Sequence, residues 1–189
     1  TINILPLYSS VAESIRYSTF QVGSIITTTG FATTDTNIWP QLSKTVLIFL
    51  MFFGASAGST GGGLKAVRVL LLFKSAKRDL GKLLNPNTVK IVRLDNKRVS
   101  EDTISGVKTF FLIYMIITAA SILLVSLDGY DLETSSTAVF ACINNIGPGF
   151  GMVGATGNYA FFSGFSKIVL TFDMLVGRLE VYPMLILFI

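Results

Sequence analysis

The 189-residue sequence has no histidine and a single cysteine, and only 14% of its residues are charged, against about 25% in soluble domains. Without histidine, Ser-His-Asp and Cys-His nucleophilic arrangements and histidine-ligated metal centres are excluded within this chain. The lone Cys142 can form neither an internal disulfide nor a thiolate cluster, and its apolar neighbours make it a small packing residue. No enzymatic chemistry is expected. No signal peptide is seen after Thr1, and a span starting at the N-terminus is not evident, so the chain reads as a piece of something longer. Apolar residues make up 51% of it, and an ordinary soluble domain is not expected.

The few charges are unevenly placed. Lys65 to Lys108 holds 11 basic and 4 acidic side chains, a net +7, while the remainder holds 4 basic and 7 acidic, a net −3. A membrane protein with one cytoplasmic basic loop gives this pattern, because Lys and Arg near spans stay on the cytoplasmic side. A nucleic-acid-binding patch is the rival reading of the run. The apolar flanks disfavour it, and nucleic acid is not expected as a partner.

Thr109 to Leu127 is free of charge for 19 residues, about 28 Å of helix against a hydrocarbon core of about 30 Å. Lys108 lies at its cytoplasmic end and Asp128 and Asp131 at its outer end. Ser100, followed by Glu101 and Asp102, suits the start of this helix. A second apolar stretch, Thr45 to Phe73, is interrupted by GASAGSTGGG, Gly54 to Gly63, where the glycines oppose a continuous helix. Gly54 and Gly58 also form a GxxxG pair, so close helix packing is the simpler account of part of this run. A third stretch, Ile168 to Ile189, carries Asp173, Arg178 and Glu180. An arginine at membrane depth must face protein or water, or pair with an acid such as Asp173 or Glu180.

Two apolar segments are too short to span. Ser18 to Ile26 and Thr134 to Ile143 are each followed by a glycine-bearing turn, TTTGFATTD (Thr27 to Asp35) and NNIGPGFG (Asn144 to Gly151), and read as re-entrant half-helices. SKTVLIFLMFFG (Ser43 to Gly54) matches SKIVLTFDMLVG (Ser166 to Gly177) at seven of twelve positions, and Gly30 and Gly147 lie 117 residues apart. The chain therefore contains a repeat of half-helix, turn and longer helix, the order that arranges main-chain carbonyls around an ion. Glycine is needed there because successive carbonyls must turn toward one axis. Asp35, Asp131 and Glu133 are candidates for concentrating cations outside the turns, with helix-start acids as the plainer reading. Trp39, Tyr130 and Tyr159 are expected to be interfacial anchors.

Two nucleotide motifs are only approached. GSTGGGLK has Leu64 where a P-loop requires lysine, and GFGMVG, Gly149 to Gly154, has no Rossmann unit around it.

TTTGFATTD, GSTGGGLKAVRVLLLFK (Gly58 to Lys74), NNIGPGFG and GRLEVYPML (Gly177 to Leu185) together resemble the membrane subunit of Trk-type potassium transporters. This is the TrkH/KtrB superfamily, and the long basic stretch is closer to its TrkH branch. The resemblance implies an all-α integral membrane fold of potassium-channel-like repeats, of which this chain holds the C-terminal two of four. Residues 1–73 would be the third repeat without its first helix, 74–105 a basic cytoplasmic linker with short interfacial helices, and 106–189 the fourth repeat. It implies potassium uptake across the cell membrane by a multi-pass protein. One filter wall would be Thr28, Thr29, Gly30, Phe31 and Ala32, another Asn145, Ile146, Gly147, Pro148 and Gly149. Potassium would be held at Thr28, Thr29, Gly30, Asn145, Ile146 and Gly147, as transported ligand with no covalent cofactor. Gly58, Gly61, Gly62 and Gly63 would form a gating loop with Arg178. The implied partners are membrane lipid, the N-terminal half of the same subunit, a second subunit in a homodimer, and a cytoplasmic nucleotide-binding regulatory ring on the basic face. The alternative is a proton- or sodium-coupled secondary cation transporter with a midplane site.

Overall fold

The computed structural model of the chain describes residues 1–54, 62–84, 91–95 and 97–179. Helix α1 (Val11–Ile26) follows a 3-10 turn at Ile2–Leu7, and α2 (Gln41–Met51) leads into a two-residue strand, β1 (Phe53–Gly54). The chain then returns as β2 (Leu64–Lys65), parallel to β1, and continues as α3 (Ala66–Leu84). An antiparallel pair, β3 (Arg93–Leu94) and β4 (Lys97–Arg98), precedes α4 (Glu101–Val125), α5 (Leu132–Ile143) and α6 (Gly164–Leu179).

Local chemistry sets the helix starts. Ser10, Ser100 and Asp131 each accept a hydrogen bond from the main-chain N–H three residues on, at 3.2, 3.3 and 2.9 Å, which satisfies one of the free donors of a first turn. The Ser10 cap, with Glu13 in the first turn, starts α1 seven residues before the expected Ser18, so the first half-helix is 16 residues long. Helix α5 starts at Leu132 rather than Thr134 and is 12 residues long. The expected linker also differs in form: α3 is one helix running through residues 73 and 74, and the β3–β4 pair stands where short helices were expected.

The helices are inverted in polarity relative to helices in water. On α1, Ser14, Ser18, Gln21 and Ser24 are buried while Val11, Ile15 and Phe20 are exposed. On α6, Ser166 and Asp173 are buried beside Leu170 and Val176, and Phe165, Ile168, Phe172, Met174 and Leu175 face outward. Apolar-out, polar-in stripes require an apolar surrounding, from lipid or from further protein. Among the described residues one helical stretch, Glu101–Asp128, is long and apolar enough to cross a membrane, and it contains the expected span.

Four buried clusters tie the helices together. One joins α1 and α2 through Ile25, Trp39, Leu47 and Met51, and reaches Ile146 and Phe150 beyond α5. Another gathers Leu64, Phe110, Tyr114, Ile143 and Val176 from β2, α4, α5 and α6. Trp39 is 4% exposed and donates through Nε1 to the Tyr8 hydroxyl at 2.9 Å, so it is a core residue and not an interfacial anchor.

Charge joins α3 to α4 at the basic end. Arg78, 8% exposed, contacts Glu101 at 2.6 Å and Asp79 at 3.0 Å, and Lys108 contacts the other Asp79 oxygen at 2.7 Å. The hydrogen bond from Lys108, aided by Arg78 and opposed by partial burial, holds the Asp79 carboxyl below its ordinary 3.8. A depressed carboxyl contributes stability above its unfolded-state pKa and loses it as pH falls through the folded-state value. Asp79→Asn is therefore expected to destabilise the protein at neutral pH by about 1 kcal/mol or less, because solvent screens the pair, and to unfold at a lower temperature in detergent. Thermal scans at decreasing pH should show the difference shrinking below pH 3.8.

Candidate functional site

Helices α1 and α5 end in the same way, 117 residues apart. Thr27, Thr28 and Thr29 donate through their main-chain N–H groups to Gly23, Ile25 and Ser24, at 3.0, 3.1 and 2.9 Å. Asn144, Asn145 and Ile146 donate to Phe140, Cys142 and Ala141, at 3.2, 3.0 and 2.9 Å. Both sets form a Schellman termination, which needs one left-handed residue. That residue is Thr28 (φ 53°) in one and Asn145 (φ 54°) in the other. Glycine is usual there, and a side chain costs about 1–2 kcal/mol. The Thr27 and Thr29 hydroxyls, 2.7 Å apart, flank the strained Thr28.

A second left-handed residue follows two positions later, Gly30 (φ 78°) and Gly147 (φ 104°), with negative φ between. In an ordinary extended strand successive carbonyls point to opposite sides. Alternating the sign of φ brings them toward the same side, at a conformational cost that glycine lowers.

The two turns meet. A Cβ on Gly30 would collide with the Ile146 carbonyl oxygen and lie 3.2 Å from Pro148 Cδ. Among the described residues the carbonyls of Thr28, Thr29, Gly30, Asn145 and Ile146 accept no hydrogen bond. Two neighbours do: the Phe31 carbonyl accepts from Ser24 Oγ at 2.6 Å, and the Gly147 carbonyl accepts from the Tyr159 hydroxyl at 2.6 Å. Phe31 itself is 71% exposed. Gly149 folds back toward α5, where a Cβ would lie 2.9 Å from Thr137 Oγ1, and the same hydroxyl accepts from Phe150 N–H at 2.9 Å. No group of three His, Cys, Asp or Glu side chains able to hold a metal occurs among the described residues. The unbonded oxygens here are main-chain oxygens, a ligand type that suits a weakly hydrated monovalent cation.

Directly against the second turn, main chain packs on main chain. A Cβ on Gly62 would lie 2.6 Å from the Asn144 carbonyl oxygen, and one on Gly63 would strike the Asn144 side-chain oxygen. A Cβ on Gly177 would strike the Ile143 carbonyl oxygen and approach Asn145 Nδ2 to 2.9 Å. Asn144 is fully buried, accepting from the Tyr114 hydroxyl of α4 at 2.9 Å and donating to Phe140 at 2.8 Å. Asn145 Nδ2 donates to the Met174 carbonyl of α6 at 3.2 Å. Of the expected gating residues, Gly62 and Gly63 thus adjoin the second turn, while Gly58 and Gly61 lie outside the described residues. Arg178 is exposed in the last turn of α6, one residue after Gly177. The Arg178–Asp173 pair considered above does not form, because Asp173 instead accepts from Ser121 of α4 at 2.6 Å; Glu180 lies outside the described residues. Gly54 lets β1 and β2 approach, since a Cβ there would lie 2.7 Å from the Gly62 carbonyl oxygen.

The outer acids have structural partners. Asp35 accepts from Asn37 N–H at 2.9 Å, Asp131 caps α5, and Glu133 pairs with Lys44 of α2 at 3.3 Å. The Thr134 hydrogen bonds hold Asp131 below the ordinary carboxylate range. Asn37, before α2, is tied to the chain beyond α5, donating to the Gly151 carbonyl at 3.0 Å and accepting from its N–H at 2.9 Å. Tyr130 and Tyr159 are not free anchors: one hydroxyl bonds the Phe161 carbonyl at 2.9 Å and the other bonds Gly147. The sequence carried no motif for the Tyr159 contact; its one signal was a tyrosine a short loop beyond the turn.

A family model described as TrkH, cation transport protein, matches residues 7–189. The chain is 40% identical over 182 residues to the Trk system potassium uptake protein TrkH of Escherichia coli, covering 96% of this chain and 37% of that protein. It is 36% identical over 180 residues to the protein of the same name from Vibrio parahaemolyticus, covering 95% and 37%. It also superposes on the crystal structure of the potassium transporter TrkH from Vibrio parahaemolyticus with a TM-score of 0.89 at 34% identity, over 98% of this chain and 40% of that one. The chain thus spans well under half the length of the relatives it matches.

The close contacts at the turn predict unequal tolerance of a single methyl group. Gly177→Ala and Gly62→Ala are each expected to destabilise the protein by about 1–3 kcal/mol, because main-chain atoms cannot yield. Gly106→Ala within α4, where a Cβ meets nothing within 4 Å, is expected to be neutral or to gain up to about 1 kcal/mol of helix preference. Unfolding temperatures of the three detergent-solubilised variants check this ordering.

Proposed function

The chain belongs to the TrkH family of cation transport proteins, and from that premise we propose that it supplies two of four walls of a potassium filter. The whole subunit would take up potassium across the cell membrane as a multi-pass protein, with this chain as its third and fourth channel-like repeats. The observation that carries the reading is the paired termination of α1 and α5. Two short helices end in the same hydrogen-bond pattern, reverse φ at the same two positions, and put their turns in contact with main-chain carbonyls unbonded.

The mechanism follows from those oxygens. A potassium ion entering between the walls exchanges water for the carbonyls of Thr28, Thr29, Gly30, Asn145 and Ile146, with further ligands from walls outside this chain. Because the walls differ in sequence, the ring lacks fourfold symmetry, and selectivity is looser than in a filter of identical strands. Gly147 contributes less, since one lone pair is engaged by Tyr159. On the inner side, we assign the gate to Gly62 and Gly63, which adjoin the second turn, together with Arg178, whose positive charge opposes cation passage. The relatives named above are potassium uptake proteins by name, and Trk membrane subunits in general work with regulatory subunits. We assign the net +7 stretch to the cytoplasmic face as the docking surface for such a nucleotide-binding subunit. The N-terminal half of the subunit, a second copy and lipid would cover the outward-facing apolar side chains.

Gly147→Ser is the informative substitution, because nothing lies within 4 Å of a Cβ there while its φ of 104° disfavours a side chain. In the full-length subunit reconstituted in liposomes, both Gly147→Ser and Gly30→Ser are expected to lower the ratio of potassium to sodium flux. An unchanged ratio in folded protein would sink the filter assignment. Low-turnover flux strictly coupled to protons or sodium would favour a secondary transporter instead.

A further inference from the structure

The two turns are braced from behind by different groups acting at different positions. In the first, Ser24 Oγ, within α1, donates to the Phe31 carbonyl at 2.6 Å. The residue 117 positions after Ser24 is Ala141, which has no hydroxyl. In the second turn the brace comes from outside the helix, as the Tyr159 hydroxyl donates to the Gly147 carbonyl at 2.6 Å. Phe31 corresponds to Pro148 at the same offset, so the second brace acts one residue earlier than the first.

Each brace is itself fixed. Ser24 is 7% exposed, in the last turns of α1. The Tyr159 ring packs 6.1 Å from that of Phe162, which is 2% exposed and sits against Tyr130 and Phe161. The next residue is held through both of its main-chain polar groups, Ala160 O by Lys167 Nζ at 2.7 Å and Ala160 N by Asn158 Oδ1 at 2.8 Å. Gly147 has little else to fix it: its N–H makes a 3.5 Å contact with Ala141, and no atom would meet a Cβ there. The orientation of its carbonyl therefore depends on the Tyr159 hydroxyl.

We propose that Ser24 and Tyr159 are positioning residues that set ion discrimination, each by holding one carbonyl back from the ion path. The inference rests on the filter reading above and extends it to residues outside both turns. A carbonyl tied to a hydroxyl cannot swing inward to close on a smaller ion. Sodium needs shorter contacts than potassium to repay its lost hydration, so braced carbonyls leave it under-coordinated. Without the hydroxyl, the peptide rotates at little cost, most freely at Gly147.

The test uses the full-length subunit in liposomes, with rubidium and sodium fluxes measured on the same preparations. Tyr159→Phe and Ser24→Ala are each expected to lower the rubidium-to-sodium ratio by about threefold or more, the scale of one lost hydrogen bond. Ser24→Thr, which keeps the hydroxyl, should restore the ratio. A merely structural role would reduce folded protein or total flux and leave the ratio alone, and that result overturns the inference. If the ratio is unchanged in both variants but falls in Gly147→Ser, the braces are irrelevant and the filter stands. If Gly147→Ser and Gly30→Ser also leave it unchanged, the filter reading falls and the inference falls with it.

Discussion

The carboxyl end of α5 is where the structure has least freedom. The Ile143 and Asn144 carbonyls receive Gly177 of α6 and Gly62 at main-chain distance, the Asn144 side chain receives Gly63, and Tyr114 of α4 reaches the Asn144 amide. Main-chain atoms cannot change rotamer to relieve a clash, so this contact fixes where α6 and β2 lie relative to the second turn. The turn in turn leans on the first through Gly30 and Ile146. The absence of a side chain at Gly30, Gly62, Gly63 and Gly177 is the condition for these approaches, and the buried Asn144 amide bonds the Tyr114 hydroxyl and the Phe140 carbonyl amid the crowding.

The polar interior has the same logic at a larger scale. Serines and a glutamine line the buried side of α1, and Asp173 is buried between helices with Ser121 as its partner. In water such stripes would face outward. Here many phenylalanines, leucines and isoleucines face outward instead, so hiding apolar faces from water does not by itself account for how these helices assemble. Packing and buried hydrogen bonds take over that role, which explains why so much of the order is carried by small residues and hydroxyls.

Much was legible along the chain because membrane depth imposes simple rules on composition. The uncharged run from Thr109 to Leu127 gave a helix, and Ser100 with two following acids gave its start. The paired turns were visible as glycine after a short apolar segment, twice. The start of α1 was missed because its first turn is polar, and a hydropathy reading discards polar turns that a Ser10 cap nevertheless makes helical. Trp39 was misread because tryptophan near a span is usually at the interface, and only the packing around it shows that its N–H is spent on Tyr8. The outer acids illustrate a similar limit: sequence shows a carboxylate but not the N–H or lysine it has engaged.

The amino-acid sequence by itself determined that the chain is helical, apolar in its surroundings, concentrated in positive charge between Lys65 and Lys108, and marked by a repeated segment. Those are properties of composition and period, which need no knowledge of distant contacts. Only the tertiary structure decided which carbonyls are left unbonded, that Gly30 meets Ile146, and that Ser24 and Tyr159 brace the two turns unequally. Each of these depends on backbone torsions and on residues more than one helix apart. A torsion sign or a 2.6 Å hydroxyl contact leaves no periodic trace in the order of residues.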